Sequence, residues 1–501
     1  MEKQKSLVLV TVDCLRADHA GFMGYDRPTT PFLNKLAEES LVFPAAIVAG
    51  APTYYSFPAI LASRYPLALG RDVLGIAPGE TTLASALHGA GYPTAAFIAA
   101  NPYLSARFGY DQGFTHFQDF LDDGLNSLSD QTTASSSSKA NGWCEVNRRL
   151  DRWTHAFGPL GSVYDSLYFQ YCQRWATPPP DSLDALRRFP AADTVVDQAL
   201  EWLSSAAQGP FFLWLHLMDP HAPYYPKQEA LQLMEARAVT PFRARYLNSS
   251  WNRSDLSLRA LTKYRNDIIA LYDAGIRWVD VQIGRLVQRL QEWNRWQDCV
   301  FALTADHGEE FLDHGGSFHP PSRLTEEVIR VPLLMRVPGT SKRELPQLPF
   351  SLLHLAPTLL EVLQIPILAG FQGTSCWREI AADKSWEGLS ISESIAQCNN
   401  PFRRANRLGS RILVVREGRM KLVLHTGSGV EELYDLQTDP REKAPLPRDA
   451  ERAARRRLLE RARVHVQDSR SKRDPEMRLR ATLRDLQQES LQGMPSDGVL
   501  G

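Results

Sequence analysis

A chain of 501 residues, 44% apolar and 23% charged, is long enough for more than one hydrophobic core and ordinary in composition for a globular protein. Its formal charge of −1 excludes a global field of the kind that collects nucleic acid or an anionic membrane surface, so no nucleic-acid partner is expected. Six scattered cysteines without a C-x-x-C pair suit neither a zinc ribbon nor a disulfide scaffold, and no stretch approaches the roughly 20 apolar residues of a membrane span.

The first run, "SLVLVTVD" at 6–13, follows Lys3 and Lys5 and is broken at Asp13, too short for a signal peptide, so a cytoplasmic enzyme is expected. Its continuous β-branched character predicts a strand covered on both faces. "TPFLNKLAEES" at 30–40 puts Phe32, Leu33, Leu36 and Ala37 on one helical side. "AGAPTYYSFPAILASRYP" at 49–66 has a flexible approach, hydroxyls at Thr53 and Ser56, and then an apolar turn, the pattern of a helix start. "TTLASALHGAG" at 81–91 starts on Thr and ends on Gly, another helix, and "TAAFIAA" at 94–100 is a second buried strand.

From 120 to 190 the composition shifts. "SLSDQTTASSSSKANG" is polar and of low complexity, an expected mobile loop; the aromatic run after it has helical character until "TPPPDS". This segment reads as an insertion beside the sheet, either a substrate lid or a packing insertion. "PFFLWLHLMD" at 210–219 and "CVFALTAD" at 299–306 are two more buried strands, separated by a long amphipathic helix over 264–293. Strands alternating with helices predict an α/β domain over 1–405 with a mostly parallel central sheet, whose ligands bind beyond the carboxyl ends of the strands. "RILVVREGRMKLVLHTGSGVEELYDLQTDP" at 411–440 carries turn signals between short strands and predicts a small antiparallel sheet over 406–445. The tail over 446–501 alternates Arg and Leu at helical spacing. From Arg441 onward there are 15 Lys/Arg against 10 Asp/Glu, which reads as a solvated amphipathic helix in preference to a binding arm.

Two parallel strands end in a carboxylate, Asp13 and Asp306. A carboxylate just past a buried strand is costly to leave unpaired, so each should face a cation or a dense set of donors. His307 follows Asp306, and Gly308 lets the chain turn. Two oxygens and an imidazole nitrogen converging at a sheet edge suit a divalent metal; a structural salt bridge is the other reading. His314 and His319 follow shortly, and His216, Asp219 and His221 lie at the end of another strand. Five of the twelve histidines fall in these two strand-end segments, where they would supply positive charge to an anionic ligand and protons to a leaving group.

Taken together, "TVDCLRADHAGFMGYDRPTTPFLNKLAEES", "SFPAILASRYP", "FGYDQGFTHF", "HLMDPHAPYYP", "TADHGEEFLDHG", "EEVIRVPLLMRVPG" and "GRMKLV…EELYDLQTDP" resemble the sulfatase family of the alkaline phosphatase superfamily. They occur in family order from residue 6 to about 440. The resemblance implies an α/β fold with a small C-terminal antiparallel sheet, one divalent metal ion, and transfer of a sulfuryl or phosphoryl group from an anionic ester. Sulfatases place a cysteine, converted to formylglycine, ahead of a Thr-Gly-Arg-Tyr-Pro-like turn. Registering that turn on Ala62-Ser63-Arg64-Tyr65-Pro66 puts Thr53 at the cysteine position and Phe57 at the motif arginine, with Ser56 as the fallback nucleophile. The arrangement is similar to relatives that use a threonine.

A threonine hydroxyl beside a divalent cation gains acidity and direction, and a helix start favours an incoming anion; the alternative is that Thr53 merely caps its helix. A second departure is Cys14, where many members carry a second aspartate: it reads as a small buried thiol or a soft zinc ligand. The resemblance therefore implies Asp13, Thr53, Asp306 and His307 around one Mn²⁺, Zn²⁺, Mg²⁺ or Ca²⁺. It further implies His221 on the anionic oxygens, His319 protonating the leaving group, His216 and His314 as further substrate contacts, and Arg16 beside Asp13. Without a formylglycine motif, phosphate esters are expected over sulfate esters. The competing expectation is an inactive sulfatase-like protein that binds an anion or a partner.

Overall fold

The computed structural model describes residues 4–121, 167–205, 209–235, 239–253, 255–341, 343–471 and 474–492. The serine-rich stretch and most of the aromatic run in the 120–190 insertion lie outside the described residues, as does the choice between lid and packing insertion.

Eight strands form the central sheet: β1 (Ser6–Val12), β2 (Leu41–Val42), β3 (Thr94–Ile98), β4 (His116–Gln118), β5 (Phe212–Leu217), β6 (Cys299–Ala305), β7 (Leu333–Arg336) and β8 (Arg343–Glu344). Side by side they run β8-β2-β7-β6-β1-β5-β3-β4, with only β7 reversed against its neighbours. The four apolar runs read from the sequence are β1, β3, β5 and β6, and they sit adjacent at the centre. Leu7, Val8, Leu9, Val10 and Val12 of β1 are wholly buried, each such side chain contributing about 1.5–3 kcal/mol relative to exposure. β1 pairs in parallel with β5 on one side and β6 on the other, and Thr11 is level with both His216 and Thr304. That register has one consequence for function: the residues just past β1, β5 and β6 emerge along one edge of the sheet.

Helices cover the sheet. α1 (Pro31–Ala37), α2 (Thr53–Ala62), α3 (Leu83–Gly89), α4 (Ala192–Ser205) and α5 (Leu258–Glu292) account for the helical patterns. α3 begins with a reciprocal capping box between Thr82 and Ser85. α5 starts six residues before the expected Tyr264 because Ser257 caps it, accepting from the Ala260 amide. Every residue of α2 is buried, as expected of a helix that is apolar on all sides.

The C-terminal sheet is a four-stranded antiparallel meander, β9 (Leu389–Ile395), β10 (Arg411–Glu417), β11 (Met420–His425) and β12 (Val430–Asp435). The expected boundary at 406 is therefore too late. β9, "LSISESI", looks polar, yet Ser390, Ser392 and Ser394 are buried. Ser392 Oγ donates to Val48 O (2.5 Å) and Ser394 Oγ to Pro321 O (2.6 Å), so these serines fasten the small sheet to the large domain.

The tail forms two helices, α6 (Arg452–Ser471) and α7 (Pro475–Gln492). α6 lays Ala454, Leu458 and Ala462 on Leu413, Val415, Leu422 and Leu433. α7 sets Ala481 against Leu69, Val73 and Ala77 and donates from Arg484 to Leu74 O (2.8 Å). The solvated-helix reading thus holds for the outer side only. Among the described residues no helix is long and apolar enough to cross a membrane.

Candidate active site

Thr53 is the first helical residue of α2, after Pro52 at the cap position, and its side chain makes no capping bond. Its hydroxyl instead donates to Asp306 Oδ2 (2.8 Å) and stands 3.2 Å from His307 Nε2. Asp306 and His307 follow β6 directly, and Asp13 follows β1, which lies beside it. All three are fully buried. His307 donates Nδ1–H to Gly308 O (2.8 Å), which leaves Nε2 with its lone pair. Gly308 is required by space: a Cβ there would lie 1.9 Å from Glu327 O. Ser56 turns its Oγ back to Thr53 O (3.1 Å) and faces the helix, not the site.

Asp13 is held by neighbours that sequence reasoning passed over or misplaced. Asn101 Nδ2 donates to Asp13 Oδ2 (2.9 Å). His216 Nε2 is 3.3 Å from the same oxygen, while its Nδ1 meets Thr11 Oγ1 at 3.0 Å. His216, expected to touch substrate, is therefore wholly buried behind Asp13 and positions it. Burial raises the Asp13 carboxyl, but the charges of His221 and His307 and the His216 hydrogen bond outweigh it and hold the group well below the usual carboxylate range. Asp306 goes the other way: burial and the neighbouring Asp13 charge push it up, against His307, His216 and the Thr53 hydrogen bond.

His221 and His319 face one another across the same edge, with ring centroids 5.3 Å apart, and His319 lies 4.3 Å from the His307 ring. Glu309 Oε1 meets His319 Nδ1 at 3.0 Å and Tyr224 OH donates to Glu309 Oε2 at 3.0 Å. Burial would raise Glu309, but the His319 charge and hydrogen bond keep it low. Cys14 Sγ donates to Asp13 Oδ1 (3.0 Å), and burial followed by Glu309, Asp13 and Asp306 holds the thiol well above its ordinary range.

Two further expectations need correction. The Arg16 guanidinium is bound to Asp18 (2.8 and 2.7 Å), Asp313 (2.7 Å) and Glu309 O (3.0 Å), so it braces the 309–313 loop and is not directed at Asp13. His314 pairs with Glu327 (3.1 Å) and groups with Glu442, apart from Thr53 and its neighbours. Asn101 and Glu309 are the residues missed. Both lie within three residues of a strand-end motif, and that position was the signal available.

The donor set fits a divalent cation. Asp13 Oδ1, Asp306 Oδ2 and Thr53 Oγ1 surround His307 Nε2 at 3.7, 3.5 and 3.2 Å. Ligand atoms around an ion with bonds of about 2.1 Å stand roughly 3.0–3.4 Å apart. Two carboxylates, an imidazole lone pair and a hydroxyl are donors that Mn²⁺, Zn²⁺ or Mg²⁺ accepts.

With that geometry in view, comparison with known proteins adds a lineage. The sulfatase family profile matches residues 5–365, and a profile described as N-sulphoglucosamine sulphohydrolase, C-terminal, matches residues 318–468. A sulfatase of Formosa agariphila is 26% identical over 272 residues, 51% of this chain and 50% of that protein, so the match spans only half of its length. An arylsulfatase of Clostridium perfringens is 24% identical over 471 residues, 87% of this chain and 89% of its own. In three dimensions, the phosphonate monoester hydrolase from Silicibacter pomeroyi superposes with a TM-score of 0.63 at 19% identity, covering 93% of this chain and 95% of that one. At that identity the likeness concerns the fold.

Proposed function

The chain belongs to the sulfatase family, and from that premise we propose that it is a metal-dependent hydrolase or transferase of anionic esters in which Thr53 makes the in-line attack. One observation carries this: the Thr53 hydroxyl lies 2.8 Å from Asp306 Oδ2 and 3.2 Å from His307 Nε2, inside a buried group of carboxylates. A free hydroxyl is a poor nucleophile near neutral pH. Asp306 Oδ2 is the acceptor for its proton, and Asp13 is kept ionised and in place by Asn101 and His216. When bound by Asp13, Thr53, Asp306 and His307, a divalent ion supplies acidity to the adjacent hydroxyl and balances charge on the ester oxygens. The positive end of the α2 dipole favours an incoming anion. His221 and His319 place positive charge on the leaving-group side. As the bond from Thr53 to the central atom forms, the bond to the leaving oxygen breaks; water or an acceptor hydroxyl then releases the transferred group.

Phosphate esters are the favoured substrates, because the residue at the formylglycine position is a threonine. A panel of aryl sulfate, aryl phosphate, phosphonate monoester and phosphodiester tests it. Turnover of phosphoesters with a Thr53-linked adduct in mass spectra is expected; turnover of the sulfate ester alone overturns the preference. Less than about a tenth of an equivalent of metal under metal-replete conditions would instead favour an inactive anion-binding protein.

A further inference from the structure

A pocket of about 230 Å³ opens beside the two histidines on the leaving-group side. Ala222 and Phe318, the chain neighbours of His221 and His319, both line it, and the Phe189 ring stands edge-on to His221 at 5.4 Å. Its walls are fixed from behind. Arg187 donates to Tyr225 O (2.6 Å) and to Asp219 (2.8 Å), which ties the 187–189 segment to the loop that carries His221. On the other side, both amide atoms of Asn248 join the helix Pro241–Trp251 to Tyr224. Oδ1 accepts from Tyr224 N (2.7 Å) and Nδ2 donates to Tyr224 O (3.0 Å). Phe318 holds φ at 67°, a left-handed conformation uncommon for a residue with a Cβ. Strain of this kind concentrates at functional sites.

The lining is of two kinds. Tyr225, Trp251 and Phe318 give aromatic surface, which packs well against one flat or cyclic group. The volume lies below the roughly 300–1,000 Å³ of a cleft for a larger ligand, so there is room for a single ring. Ser249 and Asn252 add a hydroxyl and an amide, and Arg188 adds a guanidinium; none of these three side chains has a hydrogen bond or ion pair among the described residues. No carboxylate lines the pocket. Arg245, the other cation near Tyr225, is already engaged by Pro178 O (2.5 Å) and Gln173 O (2.9 Å). Burial raises the Tyr225 phenol, and the charges of Arg188 and Arg245 oppose that rise, so both cations act on this pocket.

We infer that this pocket seats the leaving group of the ester, a single ring that carries an acid group, and that Arg188 takes this second negative charge. A guanidinium presents a planar fork to a carboxylate or sulfonate and keeps its charge at any working pH. The inference rests on the reading of His221 and His319 as the leaving-group side. It narrows the substrate to esters whose alcohol part is an anionic ring.

Calorimetric titration of the full chain, with Mn²⁺ present, tests this with probes that have no ester bond to break: benzylphosphonate, 4-carboxybenzylphosphonate and 4-sulfobenzylphosphonate. An acid on the ring is expected to tighten binding about tenfold, the effect of one charge-assisted hydrogen bond, and the tighter of the two acids names the group. Arg188→Gln should bring the acid and parent compounds level, and Arg188→Lys should restore part of the difference. Asn252→Asp, which sets a negative charge on the same wall, should reverse the preference. Among aryl phosphates the same advantage is expected in KM and not in kcat. Equal binding of the three phosphonates, binding of none, or a preference that survives Arg188→Gln overturns the pocket. Thr53-dependent turnover without any acid preference removes the pocket and leaves the mechanism standing. An acid preference that depends on Arg188, in a protein without Thr53-dependent turnover, does the reverse.

Discussion

Two groups of buried charge in this molecule are built on opposite plans. Where the C-terminal sheet meets the large domain, Glu326 and Glu442 are buried with their own cations: Lys421 Nζ lies 2.6 Å from Glu442 and 3.3 Å from Glu326, and Arg416 lies 2.5 Å from Glu326. At the edge of the central sheet, Asp13 and Asp306 are just as buried, yet among the described residues no lysine or arginine touches them. Asp13 meets the Asn101 amide, the Cys14 thiol and imidazoles; Asp306 meets the Thr53 hydroxyl, the His307 imidazole and the backbone N–H groups of His307 (3.0 Å) and Cys14 (3.4 Å). Desolvating a charge costs several kcal/mol unless a partner offsets it. A carboxylate supplied with a cation by the chain itself is part of the architecture; one left with ligand-type neighbours is waiting for a cation from outside.

The largest effect expected at the second kind of cluster is chemical. Thr53→Ala should reduce turnover of the best ester at least about a thousandfold, as loss of an attacking hydroxyl does elsewhere. Stability should fall by only about 1 kcal/mol, the loss of one hydrogen bond to Asp306, because Thr53 caps nothing. Steady-state rates together with circular-dichroism melts check this, and activity within about tenfold of the unaltered protein would remove Thr53 from the chemistry. Next in size is Lys421→Met. It strands the buried Glu442 and leaves Glu326 with Arg416 alone, and should cost about 3–5 kcal/mol in urea unfolding. Asp306→Asn in metal-free protein should be close to neutral or stabilising, because it relieves a carboxyl pushed up by burial and by Asp13. If both variants lose stability equally, the distinction between the clusters fails.

A smaller effect follows from adding the ion. At a concentration about 100 times its dissociation constant, a divalent metal should stabilise the protein by about 2.7 kcal/mol, and Asp306→Asn should abolish that gain. Calorimetric melts with and without metal measure it. A gain that survives Asp306→Asn would move the ion elsewhere.

How much of this was legible beforehand depended on what kind of residue carried the signal. Buried parallel strands announce themselves as unbroken apolar runs, so β1, β3, β5 and β6 agree with the sequence reading to within two residues at each end. Strands of two to four residues such as β2, β7 and β8 carry too short a pattern to register, and β9 was hidden by serines whose partners lie on a distant part of the chain. In the site, Asp13, Asp306 and His307 could be read because each ends a recognisable strand, and Thr53 because a family turn set its register. Arg16, His216 and His314 were misplaced because nearness in sequence does not give side-chain direction. Arg16 turns to the 309–313 loop, and His216 lies level with Thr11 and so behind Asp13. Asn101 acts across 88 residues of chain, a contact no local pattern contains.

The finest test of the comparison is the sign of a pH dependence. Glu393 in β9 belongs to the architectural kind: it accepts from the Leu67 amide (3.0 Å), lies 3.1 Å from His465 Nε2 of α6, and has Arg411 nearby. Burial would raise its carboxyl, but the His465 hydrogen bond and Arg411 outweigh burial and hold it below the ordinary 4.5. With the folded pKa below the unfolded one, the unfolded chain binds more protons across that window. The contribution is full above the unfolded value and disappears as pH falls through the folded one. Asp306 in metal-free protein has its folded pKa raised above the ordinary 3.8, so there the folded chain binds more protons and stability declines as pH rises through the window. Subtracting the urea stability curve of Glu393→Gln from that of the unaltered protein should give a difference that rises with pH up to the ordinary 4.5. The Asp306→Asn difference, taken without metal, should fall as pH rises above about 4. Each difference amounts to about 1.4 kcal/mol for every tenfold change in proton affinity between the folded and unfolded chains. Two differences of the same sign would mean that Asp306 is satisfied internally after all, as Glu393 is.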